Sequence, residues 1–154
     1  MPNKVAPSLG TSWLVVGGWL SLAASALHIA CIIGGPDWYR FFGAGEALAL
    51  ADARGSWLPA MLTFGIAVIL ALWAAFAFSG AGRIVRLPLL RTGLVVISAI
   101  YLVRGIGLIP SHLLRPDLTD NFALWSSLIV FIYGVAYAVG TWRAWPVLSG
   151  ERAI

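Results

Sequence analysis

The sequence predicts an all-α, polytopic membrane protein. Its four-helix transmembrane bundle carries a short interfacial helix between spans 1 and 2, in a single transmembrane domain over residues 1–154. Three observations predict this. First, 60% of the residues are apolar and only 10% are charged, where soluble domains carry about 25% charged residues. So few charges cannot cover the large water-facing surface of a small soluble domain. Second, four apolar stretches approach or exceed the roughly 20 residues a spanning helix needs. Third, turn formers fill the gaps: Gly34-Gly35-Pro36, Gly80-Ala81-Gly82, Pro110 and Pro116. Disorder is excluded because it needs low hydrophobicity and high charge.

The first span is read at 12–33 and is free of charged residues. Its apolar run exceeds the 7–15 residues usual in a signal peptide, so it is taken as a true span. The second, at 57–78, is also uncharged, and Pro59 falls in its first turn, where a missing N–H matters little. The third, at 87–109, contains Arg91 near one end and Arg104 near the other; the fourth, at 122–142, is uncharged. None shows the ten-residue alternation of barrel strands.

The charge balance is ten Lys and Arg against six Asp and Glu. In a soluble protein this would point to nucleic acid, but here the basic residues flank apolar runs, so no nucleic-acid partner is expected. Lys4, Arg83, Arg86, Arg91, Arg143 and Arg152 fall on one side; Arg40, Arg54, Arg104 and Arg115 fall on the other, mixed with acids. The positive-inside rule then puts both termini in the cytoplasm and the 34–56 and 110–121 loops outside. The single cysteine, Cys31, rules out an intrachain disulfide and reads as a small apolar residue.

Polar chemistry gathers on the outward side. In the 34–56 loop, Asp37 reads as an N-cap and residues 38–53 as an interfacial helix, which Gly43-Ala44-Gly45 can break in two. Trp38, Tyr39, Phe41 and Phe42 suit the membrane–water boundary. On an unbroken helix Glu46 shares a face with Tyr39 and Phe42 and seeks a cation or a proton; the alternative is an exposed Glu in a loop. In the first span Gly17, Ser21 and Ser25 form a small-residue stripe for close helix approach, and His28 continues that face. Arg104 lies about five residues inside its span, either snorkelling to the headgroups or pairing with a carboxylate or ligand. Ser126, Ser127, Tyr133, Tyr137 and Thr141 make a polar strip on the fourth span. Tyr133 falls near mid-membrane, where a phenol needs a hydrogen-bond partner.

These residues suggest an outward-facing cavity. Its candidate ligand-binding lining is His28, Glu46, Arg104 and Tyr133, with Trp38 and Tyr39 at the mouth. Arg104 suits an anionic headgroup or carboxylate, and His28 with Glu46 suits proton exchange. No metal site is expected, and no cofactor is named by any motif: H-E-x-x-H, the phosphate loop, G-x-S-x-G and C-x-x-C are all missing. Haem between His28 and His112 fits poorly, because His112 lies in a loop beyond Pro110.

Four helices, both ends inside, a His near the outer end of the first helix and the stretch Gly34-Gly35-Pro36-Asp37-Trp38-Tyr39-Arg40-Phe41-Phe42-Gly43-Ala44-Gly45-Glu46 together resemble the small uncharacterised bacterial inner-membrane proteins. More distantly they resemble the DoxX-like group. That resemblance implies a bacterial inner-membrane location and, through the group's tie to redox or quinone-linked membrane complexes, a lipid-like partner or a larger assembly. The leading functional expectation is binding of a lipid-like or amphipathic small molecule in the outward cavity. The alternatives are a structural or assembly subunit of a membrane complex, or a homo-oligomer, and a small membrane enzyme acting on a lipid or quinone.

Overall fold

The chain is described by a computed structural model over residues 9–107, 110 and 121–149. Among these residues every regular element is helical: α1 (Leu9–Gly34), α2 (Pro36–Phe41), α3 (Glu46–Ala53), α4 (Leu58–Gly80), α5 (Leu90–Ile106), α6 (Asn121–Arg143) and α7 (Trp145–Leu148). Three are long and apolar enough to cross a membrane: α1, α4 and α6, over Gly10–Gly34, Leu58–Gly80 and Phe122–Arg143. The third span read from sequence is shorter than expected, because α5 has 17 residues. Leu87-Pro88-Leu89 forms a turn before it, with Leu89 at φ 53 in the left-handed region, so the helix starts only at Leu90. The 110–121 loop, His112 included, lies almost wholly outside the described residues.

The four long helices touch in cyclic order, α1 to α4, α4 to α5, α5 to α6 and α6 back to α1. Their surface is inverted relative to a soluble domain. Ser21, Ser25, Thr63, Ser98, Ser127 and Thr141 are buried, while Phe64, Leu72, Val103 and Ile132 are exposed. Small residues set the close approaches. A Cβ on Gly105 would stand 2.7 Å from the Phe131 backbone, and one on Gly134 would stand 2.9 Å from the Leu102 backbone nitrogen. Gly10 lies against Ala144, Gly140 against Leu14 and Gly17 under the Tyr137 ring. The Gly17–Ser21–Ser25 stripe is therefore consumed inside the chain, with Ser25 Oγ donating to the Ala67 carbonyl at 2.7 Å.

Midway along the bundle one polar chain joins all four helices. Tyr137 O–H donates to the Trp73 carbonyl at 3.0 Å. Ser21 Oγ is 2.8 Å from both the Tyr137 and the Tyr101 hydroxyls. The directions follow by elimination. The Tyr137 proton is committed to the carbonyl, so Ser21 donates to Tyr137, and Tyr101 donates to Ser21. Each hydroxyl proton then has one acceptor, as buried hydroxyls require.

The segment between α1 and α4 takes the broken form. Gly43 at φ 66 and Gly45 at φ 97 separate α2 from α3, conformations that glycine adopts without a Cβ penalty. Asp37 is not an N-cap: Gly35 holds that position, Pro36 begins α2, and Asp37 accepts from Arg40 at 3.0 Å. Phe42 stacks edge-on to Phe122, which seats the break against the start of α6.

Candidate functional site

The helix register fixes where the polar groups lie. Leu102 faces Gly134 and Gly105 faces Phe131, so α5 and α6 run antiparallel with matched steps. Ser127 is seven residues from Gly134, and Arg104 is two from Leu102 in the same direction. Ser127 is thus five residues further along the axis than the Arg104 backbone, about 7.5 Å. Yet Arg104 Nη1 donates to Ser127 Oγ at 3.2 Å. The side chain must run along the helix toward the far end, and Arg104 is exposed, the geometry of a snorkelling arginine. The buried face of α5 passes through Leu90, Leu94, Ile97, Tyr101 and Gly105, which leaves Arg104 on the flank facing α6.

His28 approaches the same height from the other side of α6. It lies seven residues beyond Ser21 and eleven beyond Gly17, close to whole turns, so it shares the face turned to α6. Leu14 faces Gly140; continued for fourteen residues, that register brings His28 level with Ser126. His28 is half-buried, and Nδ1 lies 2.7 Å from the Ala24 carbonyl. A carbonyl only accepts, so Nδ1 carries a proton, and the Nδ1-protonated neutral tautomer offers Nε2 as an acceptor.

The other sequence candidates separate from this pair. Glu46 is held by Arg40 through two bonds, 2.9 Å to Nε and 3.1 Å to Nη2. It is exposed and not buried on an aromatic face, because the Gly43–Gly45 break folds α3 back against α2 with Ala49 on Tyr39 and Glu46 at Arg40. The Arg40 guanidinium, by hydrogen bonding first and charge second, holds the Glu46 carboxyl below its ordinary value. Tyr133 is half-buried with its ring 5.6 Å edge-on to Tyr101; among the described residues no hydrogen bond reaches its hydroxyl. The mid-depth phenols that do find partners are Tyr101 and Tyr137. Trp38 is exposed and lies over Gly34, whereas Tyr39 is 2% exposed against Cys31 and Ala49 and its hydroxyl has no partner among the described residues. No hydrogen bond or ion pair joins any two of the six candidates among the described residues. Arg40 was missed as the partner of Glu46, although only six residues separate them. No group of three or more His, Cys, Asp or Glu capable of holding a metal occurs among the described residues.

What the arrangement offers is an arginine bonded to Ser127 on one side of α6 and, by helix register, an imidazole at a similar height on the other side. No family model, curated protein or solved structure matches the chain.

Proposed function

We propose that the chain is a four-helix integral membrane protein that holds the acidic group of an amphipathic, lipid-like molecule at Arg104, on the outward side of a bacterial inner membrane. α5 then completes the bundle, with its 17 residues lengthened at the outer end by the reach of Arg104. The described acidic residues Asp37, Glu46 and Asp52 lie between α1 and α4, while Arg83, Arg86, Arg91 and Arg143 lie at the other end of the helices, which sets that basic end in the cytoplasm.

One observation carries the reading. The Arg104 guanidinium is raised to the outer end by Ser127 and, among the described residues, meets no carboxylate. Guanidinium has five donors in a planar fork, so most of its bonding capacity faces outward, where a carboxylate or phosphate binds it in two-pronged fashion. His28 Nε2 stands ready to accept a hydroxyl from the same molecule. Trp38 and Phe41, both exposed, supply an apolar surface on the same side. The enzyme reading needs His28 and Glu46 to exchange a proton, and Glu46 is already committed to Arg40. The assembly reading loses the small-residue stripe, which is spent within the chain.

The test is native mass spectrometry of gently extracted full-length protein, wild type beside Arg104→Ala and Arg104→Lys. A discrete adduct on the wild type that Arg104→Ala loses and Arg104→Lys partly keeps supports the proposal. The same adducts on all three, or none on the wild type, overturns it and favours the assembly role.

A further inference from the structure

The basic end carries its own site. The link from α4 to α5 borders an open cavity of about 270 Å³ lined by Arg86, Leu87, Leu89, Leu90, Arg91 and Thr92. Both guanidiniums are positioned by neutral partners. Arg86 donates to the Leu148 carbonyl, and Arg91 lies 4.3 Å over the Trp145 ring. Neither contact offsets a charge. Among the described residues ion pairs are made by Arg40 alone, at the far end of the molecule. Two pre-positioned guanidiniums lining one cavity, neither of them in an ion pair among the described residues, form the donor set of a phosphate site.

Two further features fit the same ligand. No side chain caps the start of α5, so its first-turn N–H groups add to the field beside the arginines. The surroundings are apolar: Leu89 is 79% and Val85 80% exposed at this link, and Trp142 is 78% exposed beside Arg143. A phosphate on a lipid would meet the arginines while its chains met these side chains.

We propose that this cavity binds a phosphate group, from either an anionic phospholipid headgroup or free phosphate. The site is separate from Arg104, and its occupancy does not depend on what Arg104 holds.

The experiment uses the full chain. Native mass spectrometry compares retention of phosphatidylglycerol with that of phosphatidylcholine, and phosphorus NMR follows inorganic phosphate added to protein in phosphatidylcholine nanodiscs. The variant is Arg91→Gln, which breaks no hydrogen bond among the described residues. Arg83→Gln, off the cavity wall, is its charge-matched control. The expected result is phosphatidylglycerol retention lowered about tenfold or more by Arg91→Gln, the loss of one charge-assisted interaction, and less than about twofold by Arg83→Gln. Inorganic phosphate that binds the wild type and not Arg91→Gln, with no lipid preference, assigns the site to free phosphate and also supports the proposal. Should Arg91→Gln lose helicity by circular dichroism, Thr92→Val takes its place, with an expected loss of about tenfold from one hydroxyl hydrogen bond to a charged phosphate. A preference unchanged by the cavity variant, lost equally in Arg83→Gln, or absent from the wild type for both probes overturns it.

Discussion

Replacing Ser21 by alanine tests the direction of the mid-bundle polar chain. The serine oxygen accepts from Tyr101 and its proton goes to Tyr137. In Ser21→Ala the Tyr101 hydroxyl keeps its proton and loses its acceptor. An orphaned buried donor costs about 1–3 kcal/mol, and the lost bond to Tyr137 adds the roughly 0.6 kcal/mol typical between helices in membranes. Alanine returns about 0.5 kcal/mol through its higher helix propensity. The net expectation is about 2 kcal/mol of destabilisation. Tyr101→Phe removes one bond, leaves no orphan and keeps the ring packing against Trp73 and Tyr133, so about 0.6 kcal/mol is expected. The double variant Ser21→Ala, Tyr101→Phe removes the orphan along with the serine. It should be more stable than Ser21→Ala alone by about 1 kcal/mol, since the orphaning penalty disappears. The assay is unfolding of the full-length protein by SDS titration in mixed micelles, followed by circular dichroism. If the second substitution lowers stability further, Tyr101 is not the donor and the deduced proton order is wrong.

Two other predictions follow from geometry. Gly105→Ala should destabilise by about 2 kcal/mol or more, the range of overpacking, because its Cβ meets the Phe131 backbone. Gly65→Ala, with nothing within 4 Å, should be neutral or gain about 0.5–1 kcal/mol from backbone entropy; the same SDS titration reads both. Carbon-detected NMR should place the Glu46 titration midpoint below that of an ordinary glutamate, and Arg40→Gln should return it. The pair's contribution is present above the unfolded-state value and is lost as pH falls through the lowered folded value, so neutral pH leaves it intact.

The helices were legible because apolar runs without charge leave few alternatives. α1 and α6 extend the runs at 12–33 and 122–142 by one to three residues at each end, and α4 starts one residue later and ends two residues later than the run at 57–78. α5 was the least legible, because periodicity at 87–90 does not reveal that Leu89 turns left-handed after Pro88. At the candidate site, spacing along α1 put His28 on the Gly17–Ser21–Ser25 face but left two directions open for Arg104, because its bond to Ser127 depends on how α5 packs on α6. The partner of Glu46 could not, since it depends on how far two glycines rotate α3 against α2. The Ser21–Tyr101–Tyr137 junction was visible only in pieces, as a stripe and a strip. Its bonds span 80 and 116 residues, and helical phase on one segment carries no information about the partner across the bundle.

That long reach bears on how the protein is made. Ser21 enters the membrane in the first described helix, and both its phenol partners are synthesised many residues later, Tyr137 on the last long one. Tyr101 arrives first, with α5, but until Tyr137 follows the serine proton has only its own helix to bond, by turning back to a carbonyl one turn earlier. The arrival of α6 exchanges that local bond for the junction and closes the ring of helices in one step. A chain interrupted before Tyr137 would thus hold α1, α4 and α5 with a central serine whose proton still bonds within α1, a state whose polar pairing differs from that of the finished protein.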